Sequence, residues 1–344
     1  MRWKQAEWLA LAGLCTEDKR RITPLVEITP RSVAPRKKHV SIESMLQKNA
    51  ADLRQFWGNG PIFIDLVHLG HEQRVSNGGH PFPCLASEVR DVGVSVIPVT
   101  GLNRDRLYQS SLQAIQRVDQ RGVCVRLSPS DIRSGISEQL RGLLSALELT
   151  PEDVDLILDY QVVGSFEAAY ARHCSLIPDL SRWRTFTIAS GAFPKDLTGL
   201  DVGSHFLPRT DWVTWRSAVL DRSWKLRIPT FGDYAIQFGR YEEPPDRPNF
   251  SASIRYTLED DWLVMRGEGV FHDGSPGFAQ WPAQAQLLCS RGDYCGSGFS
   301  EGDGYIYQKS VSQIPPGNAR TWLQAGLNHH FTFVVRQISS PLGL

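Results

Sequence analysis

The chain has 344 residues, 41% of them hydrophobic, which is enough for a sizeable core in one large α/β domain or two smaller ones. Its 37 basic and 37 acidic residues cancel to a formal net charge of zero, so no global field draws it to nucleic acid or to a membrane surface, and only a local basic patch could serve nucleic acid. The six cysteines form no CxxC pair, the N-terminus lacks a signal-peptide core, and no stretch approaches about 18 uninterrupted apolar residues, so a soluble cytoplasmic protein with reduced thiols and no membrane contact is expected.

Trp8, Leu9, Leu11 and Leu14 recur at helical spacing, and Gly13 sits near the end, predicting a short amphipathic helix over Gln5–Leu14. It could plug the bottom of a barrel or pack elsewhere on the body. Ile22–Ile28 is the first strand, starting near Pro24, because proline suits only the first residues of a strand. The basic run Arg36-Lys37-Lys38-His39 reads as a solvated loop. Ser41 caps a helix that runs to about Trp57. Gly60–Leu66 then gives the cleanest pattern of the chain: a turn, the short apolar strand Ile62–Leu66, and an acid, Asp65. A polar loop, Val67–Pro83, follows with His68, His71 and His80.

The alternation continues. A helix around Leu85–Val92 leads to strand Val94–Val99, and a helix to about Gln120 leads to strand Val123–Leu127. A helix reaching Leu147 or Leu149 precedes strand Asp155–Tyr160; a helix over Ser165–Leu176 precedes strand Trp183–Ser190. Arg209–Trp224 reads as a helix in which Trp212 and Trp215 are core packing. Ile228–Phe231 with Gly232-Asp233 is a seventh strand. After the Pro-rich loop Glu242–Pro248, Ser251–Thr257 is the eighth, extendable as a hairpin by Trp262–Arg266. Helices near Pro282–Cys289 and Ala319–Gln337 close the chain, joined by a Gly-rich segment, Arg291–Ile306, read either as a lid over a barrel mouth or as a plain connection.

Eight strands separated by helices predict α/β architecture: a single (β/α)8 TIM-like barrel over residues 1–344. Residues 1–20 supply the N-terminal helix, 21–266 the barrel, and 267–344 the C-terminal helices and Gly-rich excursion. The rival is a doubly wound open sheet.

The chain also resembles the beta protein family, named after a phage T4 beta protein. The resemblance is carried by Trp3-Lys4-Gln5-Ala6-Glu7, Pro24-Leu25-Val26-Glu27, Phe63-Ile64-Asp65-Leu66, Ile97-Pro98-Val99-Thr100-Gly101 and Val125-Arg126-Leu127. Further motifs are Leu156–Asp159, Ser190–Pro194, Phe231-Gly232-Asp233-Tyr234, Ile254-Arg255-Tyr256-Thr257, Gly302-Asp303-Gly304-Tyr305-Ile306 and Asn328-His329-His330. It implies a phage- or host-conflict setting and supplies no catalytic mechanism, so the site is argued from chemistry alone.

Strand phase would place Glu27, Asp65, Asp159 and Asp233 as candidate catalytic acids at one end of the barrel, with Arg126, Arg255, Ser190 and His68 as substrate-binding groups. Glu27, Asp65 and Asp159 could hold Mg²⁺ or Mn²⁺ through oxygen ligands, and an arginine beside them could grip a phosphate bidentately. The same acids could instead neutralise Arg126 and Arg255 in a buried ion-pair network. Two functions follow. One is a divalent-metal-dependent hydrolase or lyase acting on a phosphate-containing, nucleotide or nucleic-acid substrate. The other is a non-catalytic interaction module, its barrel mouth ion-paired and its loops recognising a phage or host protein. Ser190 lacks the Gly-x-Ser-x-Gly elbow of a serine hydrolase, and no zinc-type histidine spacing occurs.

Overall fold

Short apolar runs bounded by glycine or polar turns become strands, ten of them among the described residues. They are β1 (Leu25–Glu27), β2 (Pro61–Asp65), β3 (Ser95–Thr100), β4 (Val123–Leu127) and β5 (Val154–Val162), then β6 (Thr185–Gly191), β7 (Gly203–Pro208), β8 (Thr230–Asp233), β9 (Ser251–Thr257) and β10 (Asp261–Gly269). The computed structural model describes residues 1–30, 40–70, 72–133, 135–163, 169–221, 224–242, 250–271, 273–312 and 314–339. The basic run Arg36–His39, His71, the start of the helix expected from Ser165, and all but Glu242 of the Pro-rich loop lie outside the described residues.

The chain divides into two compact units. The first comprises residues 1–3, 23–190 and 214–233; the second comprises 4–22, 191–213 and 234–344.

In the first unit seven strands form one sheet in the order β1-β2-β3-β4-β5-β6-β8. The assigned pairs are parallel, and the helices Ile42–Phe56, Pro81–Asp91, Arg106–Asp119, Ile136–Leu147 and Tyr170–Leu176 separate successive strands, as parallel pairing requires. Local chemistry sets the ends of these elements. Ser41 caps the first of these helices by accepting from Ser44 N at 3.2 Å. Gly122 turns the chain into β4 with φ +74°, and a Cβ there would lie 1.8 Å from the Asp153 carbonyl oxygen, so only glycine fits. Helix Ile136–Leu147 buries Ile136, Leu140, Leu143, Leu144 and Leu147 on one face. Each such side chain contributes about 1.5–3 kcal/mol when fully buried.

The strand order corrects the closed eight-stranded barrel. It runs without reversal, which excludes the doubly wound sheet too, and it is open: seven strands make a half-barrel ending at β1 and β8. The expected eighth strand, β9, pairs antiparallel with β10 instead. The reason is the connection. Only residues 258–260 lie between β9 and β10, far too few for a parallel crossover, and Leu258 N donates to Asp261 O at 2.8 Å across the turn.

The second unit is built on this hairpin, extended by β7 into an antiparallel sheet of order β7-β10-β9. One apolar cluster joins Ile254, Tyr256, Leu263 and Met265 to Trp281, Leu288, Ile306 and Trp322 of the C-terminal helices. A second cluster joins Ala6 and Ala10 of helix Gln5–Ala12 to Phe193, Trp262, Val264 and Leu327. The N-terminal helix therefore packs in this unit and does not plug a barrel. The Gly-rich segment is not a plain loop throughout, because from Glu301 onward it is helix Glu301–Val311. No helix among the described residues is long and apolar enough to cross a membrane.

Candidate functional site

Side chains alternate along a parallel strand, and one phase of the half-barrel sheet makes an apolar layer of Phe63, Val99, Cys124 and Ile157 with Leu25, Ile97 and Ala189. Two residues further along their strands, the same phase carries Glu27, Asp65, Arg126 and Asp159. Glu27 and Asp65 are register partners at the ends of β1 and β2. The sequence places these four together, and the structure brings them into one cluster.

Arg126 is its centre. Its Nη1 donates to Glu27 Oε1 at 2.8 Å and to Asp65 Oδ2 at 3.0 Å; its Nε and Nη2 reach Asp159 Oδ2 at 2.7 and 2.6 Å. The remaining carboxylate oxygens are also engaged. Glu27 Oε2 lies 3.1 Å from His68 Nε2 and 3.8 Å from Arg2 Nε. Asp65 Oδ1 accepts from Val67 N at 2.9 Å and Arg104 Nη2 at 2.8 Å, and Asp159 Oδ1 accepts from Gln161 N at 2.8 Å. That last bond holds Gln161 at φ 57°, a left-handed conformation uncommon for a side-chain-bearing residue. Asp65 is 0% exposed, and Glu27 and Asp159 are 3% exposed. Burial alone would raise the Glu27 carboxyl. The hydrogen bond to His68 and the Arg126 charge outweigh it and hold the group far below the ordinary glutamate range.

Two partners escape the strand-phase argument. Arg2 comes from the N-terminal segment, where it bridges to Glu27, and Arg104 comes from the turn after β3. Arg104 also lies over the Tyr108 ring, 5.2 Å from its centroid, while Tyr108 OH donates to Val99 O at 2.8 Å.

The other expected site residues are not in this cluster. Ser190 and Asp233 are register partners at the ends of β6 and β8, so they share the acids' end of the sheet. They occupy the opposite strand phase. Ser190 alternates with the interior-layer Ala189 and lies 3.4 Å from Tyr170 OH, and Phe231, in phase with Asp233, packs on Trp215. Arg255 belongs to the second unit, where it donates to Ile236 O at 2.8 Å and lies over the Phe193 ring. His80 is a helix cap, its Nδ1 accepting from Phe82 N at 3.2 Å.

The donor set, as arranged, does not fit the divalent cation expected from sequence. In this arrangement all six oxygens of Glu27, Asp65 and Asp159 face nitrogen groups of the protein. Among the described residues no group of three or more His, Cys, Asp or Glu side chains is gathered so as to hold an ion. The residues as arranged fit a guanidinium.

In the second unit two motifs that carry the family resemblance interlock. Gly302 N donates to Asn328 Oδ1 at 2.8 Å, and a Cβ on Gly302 would sit 2.1 Å from the Ala325 carbonyl oxygen. Asp303, buried in the first turn of its helix, accepts from Tyr256 OH at 2.7 Å and Ser300 OH at 2.6 Å. His329 sets Nδ1 2.9 Å from Asp303 Oδ2 and Nε2 2.9 Å from Thr257 O. A carbonyl oxygen brings no proton, so Nε2 donates to it. Nδ1 faces a carboxylate that two hydroxyls already supply, so His329, Asp303, Tyr256, Ser300 and Thr257 share one buried hydrogen-bonded network. His330 Nδ1 meets Thr257 Oγ1 at 2.8 Å. Both histidines are committed to the fold of this unit.

No curated protein and no solved structure matches the chain. The family model described as Beta protein matches it from residue 1 to residue 336, so the chain belongs to the Beta protein family.

Proposed function

We propose that this chain is a non-catalytic recognition module of a phage- or host-conflict system, in which the loops around the ion-paired end of the half-barrel contact a phage or host protein. The observation behind the reading is the occupation of every Glu27, Asp65 and Asp159 oxygen by protein donors, with Arg126 bridging all three acids. A hydrolase or lyase working through Mg²⁺ or Mn²⁺ would need those carboxylates to leave Arg126, Arg104 and His68 and regroup around the cation. Uncoupling a buried pair costs about 3–5 kcal/mol, which the metal would have to return. A scaffold that keeps the pairs intact and recognises with its exposed loops needs no such rearrangement. The conflict setting rests on family membership.

Calorimetric titration of the chelator-treated protein with Mn²⁺ and Mg²⁺ tests this reading. No saturable binding and an unchanged Tm are expected. Stoichiometric Mn²⁺ binding that is lost in Asp65→Asn while the fold persists would replace it with the hydrolase reading. In phage-challenge assays, alanine at the exposed Glu72 and Gln73 of the loop after β2 is expected to remove the phenotype at unchanged Tm.

A further inference from the structure

The loops that follow β3 and β4, with the helices they lead into, frame a half-open cavity of about 300 Å³ at the carboxyl end of these strands. We propose that this cavity binds the oxyanion group of a small metabolite, a phosphate monoester or a carboxylate, with Arg133 and Arg104 as its recognising cations. The cavity shares only Arg104 with the ion-paired cluster, and the proposal stands whether or not the module acts by recognition.

The walls divide into groups already committed and groups with capacity to spare. Gln109 accepts from Thr100 OH at 3.0 Å and donates to Gly101 O at 3.0 Å, so it is structural. Asn103 donates to Asp131 Oδ1 at 2.8 Å, and Asp131 Oδ2 accepts from Ser128 N and Oγ at 2.8 and 2.7 Å. The one carboxylate in the wall is thus turned onto its own hydrogen bonds. Against it stand two guanidiniums. Arg104 commits Nη2 to Asp65, and its other nitrogens have no hydrogen-bond partner among the described residues. Arg133 and the Gln139 amide line the same cavity, exposed, and neither side chain is hydrogen-bonded among the described residues.

Two guanidiniums and an amide donor face one half-open space, and the N–H groups of Arg133, of Gln139 and of the part of Arg104 not spent on Asp65 have no protein acceptor among the described residues. Guanidinium forks match the geometry of phosphate and carboxylate oxygens. Leu102 and Leu143 complete the wall and offer an apolar surface to the body of the ligand. The volume lies at the lower end of the range of about 300–1,000 Å³ seen for ligand sites, which fits a metabolite and is too small for a nucleic-acid or peptide segment. The loops at the carboxyl ends of parallel strands are also where barrel-type α/β folds build their ligand sites. Because Arg104 touches both the cavity and Asp65, an occupant would fix the side chain that closes the neighbouring ion-paired cluster.

The test is isothermal titration of the full chain at constant ionic strength with inorganic phosphate, ribose 5-phosphate and succinate, each followed by a melt. At least one probe is expected to bind saturably with Kd on the order of 1 mM or tighter. Whether the phosphates or the dicarboxylate bind distinguishes the two headgroups. Arg133→Gln is expected to raise that Kd at least tenfold with Tm unchanged, because Arg133 is exposed and holds nothing else. Gln139→Glu, which brings a like charge to the mouth, is expected to do the same and carries the test should Arg133→Gln fold poorly. Absence of saturable binding for all three probes, or a less than tenfold change in the folded variants, overturns the proposal.

Discussion

Arg126 meets three carboxylates, so its neighbours cannot be changed independently. Asp65→Asn keeps the shape of Asp65 but leaves Arg104 and Arg126, themselves largely buried, facing a neutral amide at a position with no exposure to water. Breaking a buried pair in this way costs about 3–5 kcal/mol. The variant is expected to melt several degrees lower, and any loss of phenotype should follow the loss of folded protein; a melt at the wild-type temperature would show that the cluster contributes nothing. Glu27 adds a pH dependence. Its folded-state pKa is depressed, so its contribution is fully present above the unfolded-state value of about 4.3 and fades as pH falls through the folded value. Wild-type stability should therefore decline below about pH 4.3, and Glu27→Gln, already lacking that contribution, should show a shallower decline in acid denaturation. Glu27, Asp65, Arg126 and Asp159 were legible in the sequence because each sits near the end of an apolar strand in the same phase as a core residue. Ser190 and Asp233 lie one residue out of that phase, and a one-residue step turns a side chain to the other face. Arg2 and Arg104 gave no signal, because neither the N-terminal segment nor the turn after β3 has a periodicity from which a side-chain direction can be read.

Elements were readable where burial imposes a period and hidden where it does not. Val123–Leu127 is β4 as read, and Ile62–Leu66 is β2 shifted by one residue, because both are apolar runs closed by turns. β7, by contrast, alternates between exposed and half-buried residues, so its sequence lacks a hydrophobic stripe, and its place is fixed only by pairing with β10. Helix Glu301–Val311 was concealed by Gly302 and Gly304, which usually speak against a helix interior. Gly302 is there for contact: its missing side chain lets the helix backbone approach Ala325. Substitution by alanine separates these two kinds of glycine. Gly302→Ala forces a methyl to 2.1 Å from a backbone oxygen and is expected to lower stability by more than the 1–3 kcal/mol typical of overpacking, since backbone must move. Gly142→Ala lies in the exposed face of helix Ile136–Leu147 with nothing within 4 Å, and should raise stability by about 0.5–1 kcal/mol. Chemical denaturation of both variants checks the pair, and equal effects would refute the distinction.

At the scale of the whole molecule, the chain passes repeatedly between its two units, so the half-barrel is not one contiguous stretch. Residues 23–190 carry β1 to β6 but not β8, which the chain reaches only after β7 has joined the other sheet. In the intact chain β8 covers the edge of β6 through the pairs Thr187 with Thr230, Ile188 with Phe231, Ala189 with Gly232 and Ser190 with Asp233. A fragment of residues 23–190 would leave that edge open. Within it β6, which keeps Thr185 to Ser190 and has Phe186 and Ile188 both about 1% exposed in the native fold, would then present unpaired backbone N–H and C=O groups beside apolar side chains. Such an edge templates pairing with other chains. The native edges are less hazardous because they are short: β1 has three residues and β8 four. The fragment also lacks Met1–Trp3, and with it the Trp3 N to Glu27 O bond of 3.1 Å and the Arg2 charge beside Glu27. We expect residues 23–190 alone to self-associate in gel filtration and to lack a cooperative melt. Joining residues 214–233 to their C-terminus through a flexible linker should restore β8 and with it a monomeric peak and a sharper transition. A monomeric, cooperatively melting fragment without β8 would show that the open end of the sheet needs no cover, and that strand order does not limit where this chain can be divided.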